Sequence, residues 1–204
     1  MKCAVSAVLD GGLDYIKATA AKLILAKTYA LGDNAATIAA NKIVEVALAV
    51  GDWAKADDAN SSRTVTSTAK SANATGSSQQ YDNGTAGGGS TAGGAGGNGT
   101  LVDASKAWAV NAHTGRAVKI ISGTGAGQYG RIASNTATAL TLTAPLTTAP
   151  DATSVYRIVD DTHWVFADAA GNALYVVDET TKQVFTAPNQ INCPAMTYKV
   201  FQPT

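Results

Sequence analysis

Short runs of branched and apolar residues, each closed by glycine, asparagine, aspartate or proline, recur along most of the chain and predict strands joined by tight turns. Residues 22–27, 42–49 and 63–68 are such runs, bounded by Gly32-Asp33-Asn34 and Gly51-Asp52, with no evident closing partners close by in sequence. Residues 117–122, 129–133, 139–143 and 155–159 form a more regular set, with turn signals at 123–127, 134–135 and 145–151. Four short strands so spaced predict a compact all-β module of about sixty residues. A last set, 163–168, 173–178, 183–186 and 196–202, includes a hairpin turn at 169–172. Trp164 with Phe166, then Leu174 with Val176, alternate with their neighbours and mark one buried face on each strand of that hairpin. Helical spacing is confined to the start. Leu13 and Ile16 lie three apart behind Asp10, which predicts a helix of about two or three turns capped by that aspartate.

Residues 83–99 break the pattern, holding nine of the 20 glycines and no side chain larger than asparagine or threonine. Such a segment cannot offset its own conformational entropy by burial, and as a coil it reaches about 20–25 Å. It reads as a linker between two folded bodies, or as an arm laid on a neighbouring surface and ordered in an assembly. Composition sharpens this. Forty of the 204 residues are alanine, so the 46% hydrophobic content overstates the apolar surface, and the core must come from a modest set of larger side chains.

Charge removes whole classes of partner. Fifteen basic residues balance fifteen acidic ones, and the first hundred residues are themselves balanced, eight against eight, so no basic footprint for nucleic acid exists. The strongest apolar run, 43–50, is broken by Glu45 and falls short of the roughly 20 residues that cross a bilayer, so no membrane partner is expected. The stretch 1–9 is short for a signal-peptide core, and export by the usual route is not expected. Cys3 and Cys193 stand at opposite ends without metal-ligand spacing. Two unpaired thiols are the simpler reading, and a disulfide needs the terminal strands to be neighbours.

Candidate chemistry is sparse. Gly125-Ala-Gly-Gln-Tyr-Gly130 matches the dinucleotide pattern, but β-branched and turn-forming residues follow where a helix is required, so a glycine-dense hairpin turn is expected. His163 stands near Asp160, Asp161 and Asp168, residue types that serve as a general base or hold a metal. The strand period of two leaves His163 a single acidic neighbour, Asp161, on its own face, and turns Asp160 away. His113 reads as a turn residue. Four Asn-x-Ser/Thr triplets, at Asn60, Asn73, Asn83 and Asn98, read as chance occurrences in a region rich in those residues. Trp53, Trp108 and Trp164 lie in separate segments, which favours burial over a shared sugar-stacking platform. No catalytic, cofactor-binding or metal-binding residue is therefore assigned, and Trp53 and Trp108 are the candidate interface anchors.

Leu9-Asp-Gly-Gly-Leu-Asp-Tyr-Ile-Lys17, Lys22-Leu-Ile-Leu25, Tyr29-Ala-Leu-Gly32 and Thr162-His-Trp-Val-Phe-Ala-Asp168 together resemble a family of small virion structural proteins of tailed bacteriophages, head decoration or cement proteins among them. In ordinary members a Thr-His-Trp-Ala-like strand follows the segment matching 63–69 after a short turn, whereas here about ninety residues intervene. The intervening residues Gly115-Arg-Ala-Val-Lys-Ile120, Gly123-Thr-Gly-Ala-Gly-Gln128 and Pro150-Asp-Ala-Thr-Ser-Val-Tyr-Arg-Ile158 resemble a small β module recurring in phage structural and tail-fibre proteins. The resemblance implies a mainly β protein: a β-sandwich-like domain with one short N-terminal helix, split over 1–82 and 161–204 and interrupted by an inserted all-β module at 100–160. It further implies a non-enzymatic virion protein, without cofactor, that binds the major capsid protein as a homo-oligomer and stabilises the head. The alternative is a tail or fibre-associated protein whose inserted module binds a host-surface glycan.

Overall fold

The computed structural model describes residues 6–58, 62–91 and 99–201. In chain order they form α1 (Ser6–Thr19), β1 (Lys22–Ala26), α2 (Ala35–Ala40), β2 (Lys42–Ala47), β3 (Trp53–Asp58), β4 (Ser62–Ser67), β5 (Lys70–Asn73), β6 (Gln80–Thr85), β7 (Gly88–Ser90) and β8 (Thr100–Val102). There follow β9 (Ala117–Ser122), β10 (Tyr129–Asn135), β11 (Ala139–Leu142), β12 (Val155–Val159), β13 (His163–Ala167), β14 (Ala173–Asp178), β15 (Gln190–Cys193) and β16 (Thr197–Phe201). With 44% strand and 11% helix the molecule is mainly β and β-sandwich-like.

The early strands find their partners far along the chain. A four-stranded antiparallel sheet has the order β14-β13-β1-β2, with Leu23 opposite Phe166 and Leu25 opposite Trp164. Sheets β16-β4-β3 and β15-β5 complete this body. One core joins Leu13 and Ile16 of α1, Leu23 and Leu25, Trp53, Val65, Trp164, Phe166 and Ile191. The other face of the four-stranded sheet is covered as well. Ile24, Ala26, Val165 and Ala167 pack under Ile38 of α2, a six-residue helix whose N-cap Asn34 accepts a hydrogen bond from Thr37 N at 3.0 Å. Strand β13 thus has two buried faces where alternation marks one, while β14 is half-buried along Ala173–Val177. Apolar residues on successive positions of β13 are what a strand between two covers requires.

The second body is a seven-stranded sheet of order β6-β12-β9-β10-β11-β8-β7, with its own core of Leu101, Val118, Ile120, Ile132, Leu140, Leu142, Tyr156 and Ile158. All its strands lie between Gln80 and Val159, so it takes in part of the glycine-rich segment. Residues 83–90, expected as linker or arm, are mostly strand, and 92–98 lie outside the described residues. Glycine is needed there for close approach. A Cβ on Gly84 would stand 2.5 Å from Asp103 Oδ2 and 2.9 Å from Tyr156 Oη, and one on Gly89 would stand 2.5 Å from Thr100 O.

Three further expectations change. Helix α1 is 14 residues long, about four turns, and begins before Asp10. Asp10 therefore does not cap it; its carboxylate accepts from Arg63 Nε at 2.8 Å and pairs with Lys55 at 3.3 Å. Residues 183–186 form no strand; Phe185 turns into the core and its N–H donates to Ser78 Oγ at 2.7 Å, leaving the pairing to β15. Cys193 is buried, which pushes its thiol up to about 11, while Cys3 lies outside the described residues.

Candidate functional site at the junction of the two bodies

The turn that follows β14 builds the most unusual group in the molecule. Glu179 Oε1 accepts from Thr181 N at 2.9 Å and Thr181 Oγ1 at 2.7 Å, while Oε2 accepts from Lys182 N at 2.8 Å. This carboxylate-centred turn holds Lys182 at φ +45°, in the left-handed region, and sends its side chain inward to full burial. A buried ammonium has three protons to place. One goes to Asp161 Oδ1 at 2.8 Å, one to Thr162 O at 2.9 Å and one to Asp178 Oδ1.

The seven-stranded sheet supplies the other wall. Tyr129 on β10 stands opposite Lys119 on β9, and Arg131 follows two residues later on the same face. Arg131 Nη1 donates to Asp161 Oδ2 at 3.2 Å and to Tyr29 O at 3.4 Å. Lys119 Nζ donates to Gly127 O at 2.6 Å and Thr180 O at 3.2 Å, and the Tyr129 ring lies 5.2 Å from Lys182 Nζ. Burial, then the hydrogen bond to Asp178, pushes the Tyr129 hydroxyl up to about 12, while burial foremost lowers Lys119. Cations of the inserted body thus face carboxylates of the split one.

His163 lies at the edge of this cluster. Its cross-strand partner is Asp178, and its Nε2 is 3.8 Å from Asp178 Oδ1 and 3.9 Å from Asp161 Oδ2. His163 therefore has two acidic neighbours where strand periodicity gives one. Burial lowers its pKa, partly opposed by the charge of Asp161, and its buried Nδ1 has no hydrogen-bond partner among the described residues. Ligand atoms of Asp161, His163 and Asp178 lie within 4.8 Å of one another, a spacing a metal ion uses. Here the cation between the two carboxylates is the Lys182 ammonium. All three protons of this buried lysine go to groups of its own body, so it ties the β13–β14 hairpin together, and the inserted body reaches the cluster through Arg131 on Asp161 and the Tyr129 ring.

The remaining sequence candidates separate. Asp160 accepts from Gln79 N at 2.7 Å and from the Tyr81 hydroxyl at 2.8 Å, with partners distinct from those of Asp161. Asp168 closes the β13–β14 turn through Asn172 N at 2.9 Å, apart from His163. Gly123, Gly125 and Gly127 take positive φ in the β9–β10 turn. Trp53 is 5% exposed and packs against Phe166, so its ring is occupied within the core. Trp108 is half-buried, donates to Asp82 Oδ2 at 2.6 Å and sets its ring edge-on to His113 and Tyr156. His113 lies in the turn 111–115, as expected, and is buried there against the Trp108 ring.

Free apolar surface lies elsewhere. Edge strand β2 is covered where Thr75 and Gly76 N–H donate to Ile43 O, but no backbone hydrogen bond extends the sheet beyond β14 among the described residues. Tyr29, Leu31 and residues 173–176 line a shallow hollow beside that edge, and Leu31 is 98% exposed. Sequence reasoning missed Asp178, Lys182 and Arg131. Centring the hairpin on 169–172 already sets 163 opposite 178; the lysine and arginine arrive by tertiary packing and leave no local signal. Comparison with protein-family models, with curated proteins and with solved structures finds no match for this chain.

Proposed function

We propose that this chain is a non-enzymatic structural protein of a phage particle, a capsid decoration protein that binds the outer head surface and stabilises it. The observation that carries the reading is the edge of β14, uncovered among the described residues, with Leu31, 98% exposed, beside it. An open edge flanked by apolar residues is a liability in a free monomer and an asset where another chain completes it. The resemblance of residues 9–17, 22–25, 29–32 and 162–168 to small virion proteins favours the same role, and a net charge of zero suits an outer surface better than contact with packaged DNA. The major capsid protein is the expected partner, with further copies of the chain around each attachment point. Mass spectrometry of separated heads and tails from purified particles tests this. The protein is expected in many copies in the head fraction, and its recovery with tails alone overturns the reading.

A further inference from the structure

Strand β12 runs through the middle of one half of the seven-stranded sheet, between edge strand β6 and β9. Tyr156 and Ile158 point into the core at 0% exposure, so Arg157 between them points to the opposite face, in register with Asn83 on β6 and Lys119 on β9. Across this face runs a groove of about 400 Å³, lined by Gln80, Asn83, Thr85, Ile121, Val155 and Arg157. That size is within the usual range for small-molecule sites.

The arginine in the groove is uncompensated. Its Nε is buried without a hydrogen-bond partner, and no carboxylate pairs with its guanidinium among the described residues. On β6 the residue in register with Arg157 is Asn83, while Asp82, opposite core-facing Ile158, is bonded to Lys106 and Trp108. Lys119 turns its ammonium to Gly127 O and Thr180 O, adding positive charge beside the groove without filling it. A buried donor without a partner is costly in a folded protein, so it calls for an explanation.

We infer that this groove binds a carboxylate-bearing sugar. The planar guanidinium suits a carboxylate through paired N–H donors. The exposed side chains of Gln80, Asn83 and Thr85 make no hydrogen bonds among the described residues, so their amides and hydroxyl are open to ring hydroxyls. Ile121, 47% exposed, and Val155 offer an apolar floor to the C–H face of the ring. A bare inorganic anion would leave that floor and those amides unused. The site belongs to the inserted body and does not depend on where in a particle the protein sits.

The test is a titration of the full chain with glucuronate, followed by nuclear magnetic resonance at the arginine Nε–H and isoleucine methyl groups, with glucose, acetate and inorganic phosphate as comparators. Glucuronate is expected to shift the Arg157 Nε–H and an Ile121 methyl together and saturably, at least about tenfold tighter than glucose or acetate, because charge and hydroxyl contacts are both needed. Arg157→Gln is expected to abolish the response and Asn83→Ala to weaken it, each with an unchanged urea midpoint. No shift with glucuronate overturns the inference. So does phosphate or acetate matching glucuronate in affinity, which marks a bare anion site.

Discussion

Lys182 concentrates the energetics of the junction. Its ammonium is fully buried between Asp161 and Asp178 and is matched by carboxylates and a carbonyl, so its removal leaves Asp161, 4% exposed, with Arg131 and the more distant, neutral His163. Breaking a buried pair from one side costs about 3–5 kcal/mol, and Lys182→Met is expected to lower stability by that amount in urea denaturation. Beside it, His163 is neutral in the folded chain because burial holds its pKa below 6.5. The unfolded chain therefore takes up the proton first as pH falls. Stability from this group is complete above pH 6.5 and is lost as pH drops through the folded pKa. His113, also lowered by burial and by Arg116, acts in the same direction. Asp10, held below 3.8 by Arg63, and Asp52, held there by Lys70, keep their charges in this window and lose them only at more acid pH. Urea midpoints measured from pH 7 to about 5 are expected to fall, and His163→Gln to flatten part of that slope. An equal slope in the variant would remove His163 as its cause. Gly84 is constrained differently. Its missing Cβ makes room for Asp103 and Tyr156, whose hydrogen bond is 2.7 Å, so Gly84→Val is expected to cost about 1–3 kcal/mol by thermal unfolding.

Strands announced themselves where turn residues bracketed them. Ala117–Ser122, Val155–Val159 and Ala173–Asp178 coincide with the runs that glycine, asparagine and proline mark off. The elements that escaped notice lack that contrast. β6 is Gln-Tyr-Asp-Asn-Gly-Thr and β7 is Gly-Gly-Ser, without a run of branched residues, and they are strands because the β12 and β8 edges supply their hydrogen bonds. Helix α1 runs through Gly11-Gly12, against local propensity, because Leu13 and Ile16 are buried on the sandwich and packing outweighs about 1 kcal/mol per glycine. Edge strand β14 is the converse, an element whose pattern was legible but whose open outer side was not. Leu31→Asp beside it is expected to leave stability unchanged within about 0.5 kcal/mol, since Leu31 touches little of its own chain. If this edge seats on a capsid, the same variant loses binding to undecorated heads in a co-sedimentation assay. Retained binding would move the contact elsewhere.

Among the described residues the two bodies share no core residue, one being built on Leu13, Trp53 and Trp164 and the other on Leu101, Ile120 and Tyr156. Between them run few contacts, chiefly Arg131 to Asp161 and Tyr29 O, Lys119 to Thr180 O, and Tyr129 against Lys182. The chain passes from one body to the other at a single place. Gln79 N donates to Asp160 Oδ2 at 2.7 Å, and Asp160 N donates to Gln79 O at 3.1 Å, so the two ends of the seven-stranded body are already side by side. A chain in which residues 80–159 are replaced by Asn-Gly needs only to close that short gap with a turn suited to antiparallel ends. It is expected to unfold cooperatively and to keep the near-ultraviolet signal of Trp53 and Trp164, with reduced stability because Asp161 loses Arg131. A separate piece spanning 79–160 is expected to keep the environment of Trp108, whose Nε1 is bonded to Asp82 within that piece. Loss of cooperative unfolding in the shortened chain would show that the inserted body is part of the sandwich's stability, and that the junction around Lys182 is a structural keystone rather than a latch between two self-sufficient units.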